Sequence, residues 1–126
     1  MGATFDLGAI SLSGSGTQTF TGTWAGGSTL STGTGTIAIN GGTITTTGAQ
    51  TYAGAVTLNA DTTFTTTNSN LTFNSTVNSA NTTARALTVD TGTGTKNFLG
   101  SIGATNVLGT LTFNGSGALT LSGVTT

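Results

Sequence analysis

The stretch TGTIAINGGTITTTGAQTYAGAVTL, residues 34–58, contains the pattern that most clearly indicates the fold. It includes two steps in which apolar residues flank a small one, Ile37/Ile39 and Val56/Leu58. Because successive side chains of a β-strand point to opposite faces, each step buries two side chains and exposes the one between them. The intervening residues Asn40-Gly41-Gly42 tolerate the positive φ of tight turns. The stretch therefore predicts short strands separated by corners.

The same step recurs along the chain, at Ile10/Leu12, Leu71/Phe73, Leu87/Val89, Leu111/Phe113 and Leu119/Leu121. The residue inside most steps is Thr or Ser, which predicts outward rows of hydroxyl groups. The intervals between steps are irregular, and from them we expect five or six coils of roughly 20 to 25 residues each. One coil cannot bury its own apolar face, so each needs a neighbour stacked on it. The predicted fold is an all-β parallel β-helix, or β-solenoid.

The composition favours strands over helix or disorder. The chain of 126 residues contains 34 Thr, 21 Gly and no Pro. Thr and Val are branched at Cβ, which suits a pleated strand, and Pro is rare where nearly every backbone N–H joins a ladder. No window has the apolar spacing of a helix. The net charge of −1 is also far from that of a typical disordered chain.

A longer repeat is visible above the short steps. Three segments share one motif with an aromatic residue in the same position, GTQTFTG (16–22), GAQTYAG (48–54) and GTKNFLG (94–100). We expect Phe20, Tyr52 and Phe98 to stack inside the solenoid or at its corner, the alternative being a carbohydrate-stacking platform. Alignment of the flanks indicates a long repeat, with one copy at 9–85 and a partial copy at 86–126. Residues 1–126 are therefore interpreted as one solenoid segment, cut from a larger repeat protein.

Few side chains in the sequence could support catalysis or metal binding. The chain lacks His and Cys, and its charged residues are Asp6, Asp61, Asp90, Arg85 and Lys96, widely separated in sequence. General acid–base catalysis and metal binding usually need such groups in clusters. We therefore predict no catalytic, cofactor-binding or metal-binding residue, no cofactor and no enzymatic activity.

The glycine-rich run TGTGTK, which ends at Lys96, resembles a phosphate-binding loop only superficially. A P-loop requires Gly-Lys-Ser/Thr at a strand-to-helix turn, whereas Thr95 precedes Lys96 and Asn97 follows it. A solenoid corner is the expected structure. Trp24 aligns with Ile102 in the long repeat, which favours a packing role for this single Trp.

The charge pattern also limits the partners. Two cations in the whole chain provide no electrostatic footprint for nucleic acid or for an anionic membrane surface. No segment has the length and hydrophobicity of a membrane span, and the first residues lack the features of a secretion signal. We expect no nucleic-acid binding and no membrane insertion, and export only as part of a larger protein.

The segment GGTITTTGAQTYAGAVTLNADTTFTTTNSNLTFNSTVN (41–78) resembles the recurring units of very large secreted bacterial proteins of the filamentous-haemagglutinin-like, two-partner-secretion kind. Residues 44–58 are the most specific part, and the similarity covers most of 28–126. The resemblance implies a right-handed parallel β-helix that projects from the bacterial cell surface and carries adhesion. The N-terminal secretion domain of that family has no counterpart in this sequence.

These observations predict a structural shaft of a secreted adhesin or extracellular fibre, with strand edges at the solenoid ends that invite end-to-end self-association. The host or cell-surface receptor is not predicted. The main alternative is a Thr-rich solenoid that binds ice or carbohydrate. A polysaccharide lyase on the same fold and an amyloid-like fibre are the remaining alternatives.

Overall fold

The computed structural model describes residues 8–124, which contain fifteen β-strands and no helix. The strands are β1 (Ile10–Ser11), β2 (Gln18–Phe20), β3 (Trp24–Ala25), β4 (Leu30–Ser31), β5 (Ile37–Ile39), β6 (Thr43–Thr45), β7 (Gln50–Tyr52), β8 (Val56–Leu58), β9 (Thr62–Thr65), β10 (Leu71–Phe73), β11 (Val77–Ser79), β12 (Arg85–Asp90), β13 (Lys96–Ile102), β14 (Leu108–Asn114) and β15 (Leu119–Val124). Every strand pair is parallel and joins non-consecutive strands. The all-β parallel solenoid predicted from the sequence is confirmed, with about five turns.

Each coil contributes one strand to each of three faces. The first face contains β1, β4, β7, β10 and the start of β13, and the second contains β2, β5, β8, β11 and the end of β13. The third face is the five-stranded sheet β3-β6-β9-β12-β14. Strand β13 runs through the corner between the first two faces, so these are joined into one sheet, and β15 pairs with it along both parts.

The coil length follows from the register of the first face. Successive partners in one column of this face are Ile10, Leu30, Gln50, Leu71, Lys96 and Leu119. The shortest intervals along the chain lie between Ile10 and Gln50, and the longest lies between Leu71 and Lys96. All of them fall within the coil length of roughly 20 to 25 residues predicted from the sequence. The handedness of the coil stays a prediction from the family resemblance.

The core is a set of columns of inward side chains enclosed by the three faces. In β5, β8 and β10 both apolar residues of the step are buried, as predicted. The third face adds Ile44, Phe64 and Val89, which stack in register on β6, β9 and β12. Because a side chain at one level is covered by those of the coils above and below, a few apolar residues in each coil suffice to exclude water.

The expected burial fails at one step and is incomplete at two others. Leu119 is 41% and Leu121 43% exposed, because β15 pairs with β13 on one side and with no other described strand. The Ile10/Leu12 and Leu111/Phe113 steps are only partly buried, although they pack against the core. Burial in this fold comes from the neighbouring coil and not from the strand itself.

The aromatic residues form a column that differs in part from the prediction. Tyr52, Phe73 and Phe98 stack face to face on consecutive strands of the first face, with ring centroids 5.0 and 4.8 Å apart. Phe20 is not part of this column, because it lies on the second face in register with Ile39. The expectation that Phe20 shares the position of Tyr52 and Phe98 is therefore wrong. The long repeat stays a prediction at the level of sequence.

Glycines allow the coils to approach closely at the corners. A Cβ atom at Gly54 would overlap the carbonyl oxygen of Gly35 one coil earlier, and a Cβ at Gly35 would overlap that of Gly16. Gly54 closes the GAQTYAG motif, and in the structure it lies at the corner between β7 and β8. Glycine is needed at this position because any side chain would prevent the close contact between the two coils.

Candidate functional site

The outward surface of the third face has the most regular array of identical side chains in the described chain. Thr43, Thr63, Thr88 and Thr112 occupy one column in register on β6, β9, β12 and β14. The adjacent column, two residues further along each strand, contains Thr45, Thr65, Asp90 and Asn114. We call these eight residues the threonine face. Its rows are about 4.8 Å apart, the spacing of neighbouring strands.

The other two faces have less uniform outward columns. On the first face Ser11, Ser31, Thr51, Thr72, Asn97 and Thr120 lie in register. On the second face the column reads Thr19, Ala38, Thr57 and Asn78. The predicted rows of hydroxyl groups are therefore present, and the third face extends them over two columns.

The carboxylates of the described chain lie apart and bind the backbone. Asp61 Oδ1 accepts a hydrogen bond from the Ala86 N–H at 2.9 Å, which ties two neighbouring coils together. Asp90 Oδ1 accepts one from the Gly92 N–H at 3.1 Å and so closes the turn after β12. Asp6 lies outside the described residues. Between residues 8 and 124 no three residues of the His, Cys, Asp and Glu types come together as a metal site.

Lys96 lies in the core, which the sequence did not predict. Its side chain is 1% exposed and occupies the inward column between Leu71 and Leu119. Its Nζ donates a hydrogen bond to the carbonyl oxygen of Gly117 at 3.2 Å. The TGTGTK run, which ends at Lys96, forms the corner that leads into β13, as expected. The Nε of Arg85, the other cation, is buried and has no hydrogen-bond partner within the described residues.

A buried polar network crosses the interior near the third coil. Gln50 Nε2 donates to the Thr65 carbonyl at 2.9 Å and to Thr46 Oγ1 at 3.2 Å, while its Oε1 accepts from the Tyr52 hydroxyl at 2.8 Å. Burial of Tyr52 raises its pKa well above the ordinary value of 10.0, because the phenolate would lose its hydration. A satisfied network of this kind favours one register over its neighbours, since any slip leaves buried groups unpaired.

A ladder of buried threonines stabilises the corner after the third face. Thr46, Thr66 and Thr91 follow β6, β9 and β12, and each hydroxyl donates to a backbone carbonyl two or three residues later, at Gly48, Ser69 and Gly94. The sequence predicts corners at Gly and Asn clusters and does not indicate this ladder. The signal is a Thr directly after three of the five third-face strands, which is hard to recognise in a chain so rich in Thr.

Trp24, for which the sequence predicts a packing role, is half-buried on β3 in register with Ile44. Its ring packs edge-to-face against Phe20 with centroids 6.0 Å apart, so its described contacts fit a packing role. No helix of the described chain is long and apolar enough to cross a membrane.

Comparison of the chain with protein-family models, with curated proteins and with solved structures finds no match.

Proposed function

We propose that this chain is a structural shaft segment of a secreted bacterial adhesin or extracellular fibre and that it has no catalytic role. The observation that supports this best is the continuous register, which runs from β1 to β15 along the first face without an interruption. In such a stack each coil contacts only its neighbours, so coils can be added to extend the structure.

Two further features support a scaffold. The threonine face and the outward column of the first face consist mainly of uncharged hydroxyl side chains. The carboxylates of Asp61 and Asp90 bind backbone N–H groups, which is a structural use. Localisation at the bacterial surface and membership of the filamentous-haemagglutinin-like group are part of the same proposal, and they rest on the sequence resemblance.

The proposal includes association of copies end to end. The inward columns are unfinished at both ends of the described stack: Ile10 and Leu12 are partly buried at one end, and Leu119 and Leu121 are exposed at the other. These residues belong to the same two columns, so a second copy stacked head to tail would continue each column with another aliphatic residue. Sedimentation of the chain over a range of concentrations tests this, with Leu121→Lys expected to shift the equilibrium to monomer.

A display experiment separates a shaft from a binding module. Tandem copies of the chain are placed between a cell-surface anchor and a reporter binding domain, and capture of beads coated with the reporter's ligand is measured under flow. A shaft predicts that capture improves with the number of copies and is unchanged by Thr51→Lys and Thr63→Lys. Retention of cells on bare surfaces by the chain alone, lost on either substitution, would contradict the proposal.

The threonine face favours one second candidate, binding of an ordered surface such as ice or a crystalline polysaccharide. Six of its eight positions are Thr, and two columns in register repeat hydroxyl and methyl groups in two dimensions. Thermal hysteresis and pull-down on insoluble polysaccharide test this candidate. It predicts activity that Thr63→Lys abolishes and that Thr51→Lys, on the first face, leaves intact. Absence of both activities in the unmodified chain would exclude it.

A further inference from the structure

The chain contains two Asn-Gly pairs, Asn40-Gly41 and Asn114-Gly115, and the two pairs lie in different surroundings. Asn is a thermally labile residue. In an Asn-Gly pair the glycine amide nitrogen can attack the Asn Cγ, closing a five-membered succinimide and releasing ammonia. Water then opens either C–N bond of the ring and leaves aspartate or isoaspartate. One water is consumed and one ammonia released, and no oxidant or cofactor is needed.

The first pair is held in a geometry that opposes this reaction. The Asn40 N–H donates to the Phe20 carbonyl at 2.8 Å, and Asn40 Oδ1 accepts a hydrogen bond from Asn59 Nδ2 at 2.7 Å. Gly41 is buried, with the backbone of Gly22 packed against it. The side-chain carbonyl is thus oriented towards the next coil, and the backbone cannot rotate freely to bring the nitrogen onto Cγ.

The second pair lies in a more open place. Asn114 is the last residue of β14, which pairs with β12 and with no other described strand. Asn114 and Gly115 are both exposed, and Gly115 has a φ of 91°, which glycine adopts without strain. Gly115 packs against the backbone of Gly92, as Gly41 does against Gly22, and the Ser116 and Gly117 N–H groups donate to the Gly92 carbonyl. The two pairs therefore differ in the exposure of the glycine and in the hydrogen bond that Asn40 Oδ1 accepts.

We propose that Asn114 is a deamidation site of this protein and that Asn40 is protected by its corner. The product has a consequence for the threonine face, because Asn114 is in register with Asp90. A carboxylate at position 114 would lie directly opposite the Asp90 carboxylate, and like charges in that position repel. An isoaspartate would also lengthen the backbone at the end of β14 and displace the turn onto Gly92.

Incubation of the folded chain in mildly alkaline buffer, followed by mass spectrometry of proteolytic peptides, tests the proposal. We expect aspartate and isoaspartate at position 114 to accumulate several times faster than at position 40. In water enriched with heavy oxygen the product should carry the label, since water opens the ring. Equal rates at the two positions, faster reaction at Asn40, or an unlabelled product would overturn the proposal.

Two controls assign the difference to the structure. In concentrated urea the two pairs should react at similar rates, and a difference that persists there would overturn the assignment. Asn59→Ala removes the hydrogen bond to Asn40 and should raise the rate at Asn40 without changing the rate at Asn114. Circular dichroism verifies that this variant is folded. The comparison of folded and urea-treated wild-type chain needs no variant and decides the question if Asn59→Ala does not fold.

Discussion

Phe73 is the residue whose truncation tests the aromatic column most severely. It is 1% exposed, it stacks between Tyr52 and Phe98, and its ring also meets Phe64 edge-to-face with centroids 5.3 Å apart. Truncation of a buried Phe to Ala costs about 3–5 kcal/mol. Aromatic pairs contribute about 0.5–1.5 kcal/mol beyond burial, and three such pairs are lost here, so we expect a value near the upper end of that range.

The assay is urea denaturation of Phe73→Ala followed by far-ultraviolet circular dichroism, with Phe113→Ala as the matched control. Phe113 is half-buried and has one aromatic neighbour, Phe98, at 5.5 Å, so the same substitution should cost clearly less there. A loss below about 1 kcal/mol for Phe73→Ala, the size of an ordinary substitution, would show that the aromatic column contributes little to stability. A loss equal to that of Phe113→Ala would show the same.

Three further predictions concern the polar residues of the interior. The single Tyr should show no phenolate absorbance until the chain unfolds, because burial raises the pKa of Tyr52. The resulting stability is complete below pH ~10 and is lost as the pH rises through the folded-state pKa. Titration of the phenol near pH ~10 in the folded chain would contradict this prediction. Gln50→Leu should lower the free energy of unfolding by about 1–3 kcal/mol, because it leaves the Tyr52 hydroxyl unpaired. In a double-mutant cycle, Gln50→Leu combined with Tyr52→Phe should cost less than the sum of the two single changes. Additive costs would count against the network. Lys96→Leu should raise the urea midpoint and stabilise the fold by about 1–3 kcal/mol, because it replaces an incompletely hydrogen-bonded polar side chain between Leu71 and Leu119 by an apolar one. A lower midpoint would show that the hydrogen bond from Lys96 Nζ to the Gly117 carbonyl is needed.

The solenoid could be predicted because the steps at Ile37/Ile39, Val56/Leu58 and Leu71/Phe73 have two apolar inward positions. Other strands do not show this apolar step, because one of their inward positions is polar. On β7 the buried pair is Gln50 and Tyr52, and β11 ends in the buried Ser79. A polar residue in such a position is stable only when its hydrogen bonds are satisfied, and this depends on contacts that the sequence does not display.

The threonine face was predictable as outward hydroxyl groups but not as one surface. Its residues are separated by unequal intervals along the chain, because the coil from Phe64 to Val89 is longer than the preceding coil, which runs from Ile44 to Phe64. A slip of one residue would turn Thr63 and Thr88 inward, and irregular coil lengths do not reveal the register. The misplacement of Phe20 has the same origin, since similar strand and corner residues recur on all three faces.

Disulfide formation between engineered cysteine pairs is a direct measure of whether the coils are parallel and in register. The chain has no native Cys, and the outward residues Thr51 and Thr72 are register partners on β7 and β10. Their Cα atoms should be about 4.8 Å apart, within disulfide reach, whereas Thr51 and Asn97 are two strands apart, about 10 Å. We expect Thr51→Cys/Thr72→Cys to oxidise to an intramolecular disulfide and Thr51→Cys/Asn97→Cys not to do so. Efficient bridging of the second pair, or failure of the first in a folded variant, would contradict this expectation.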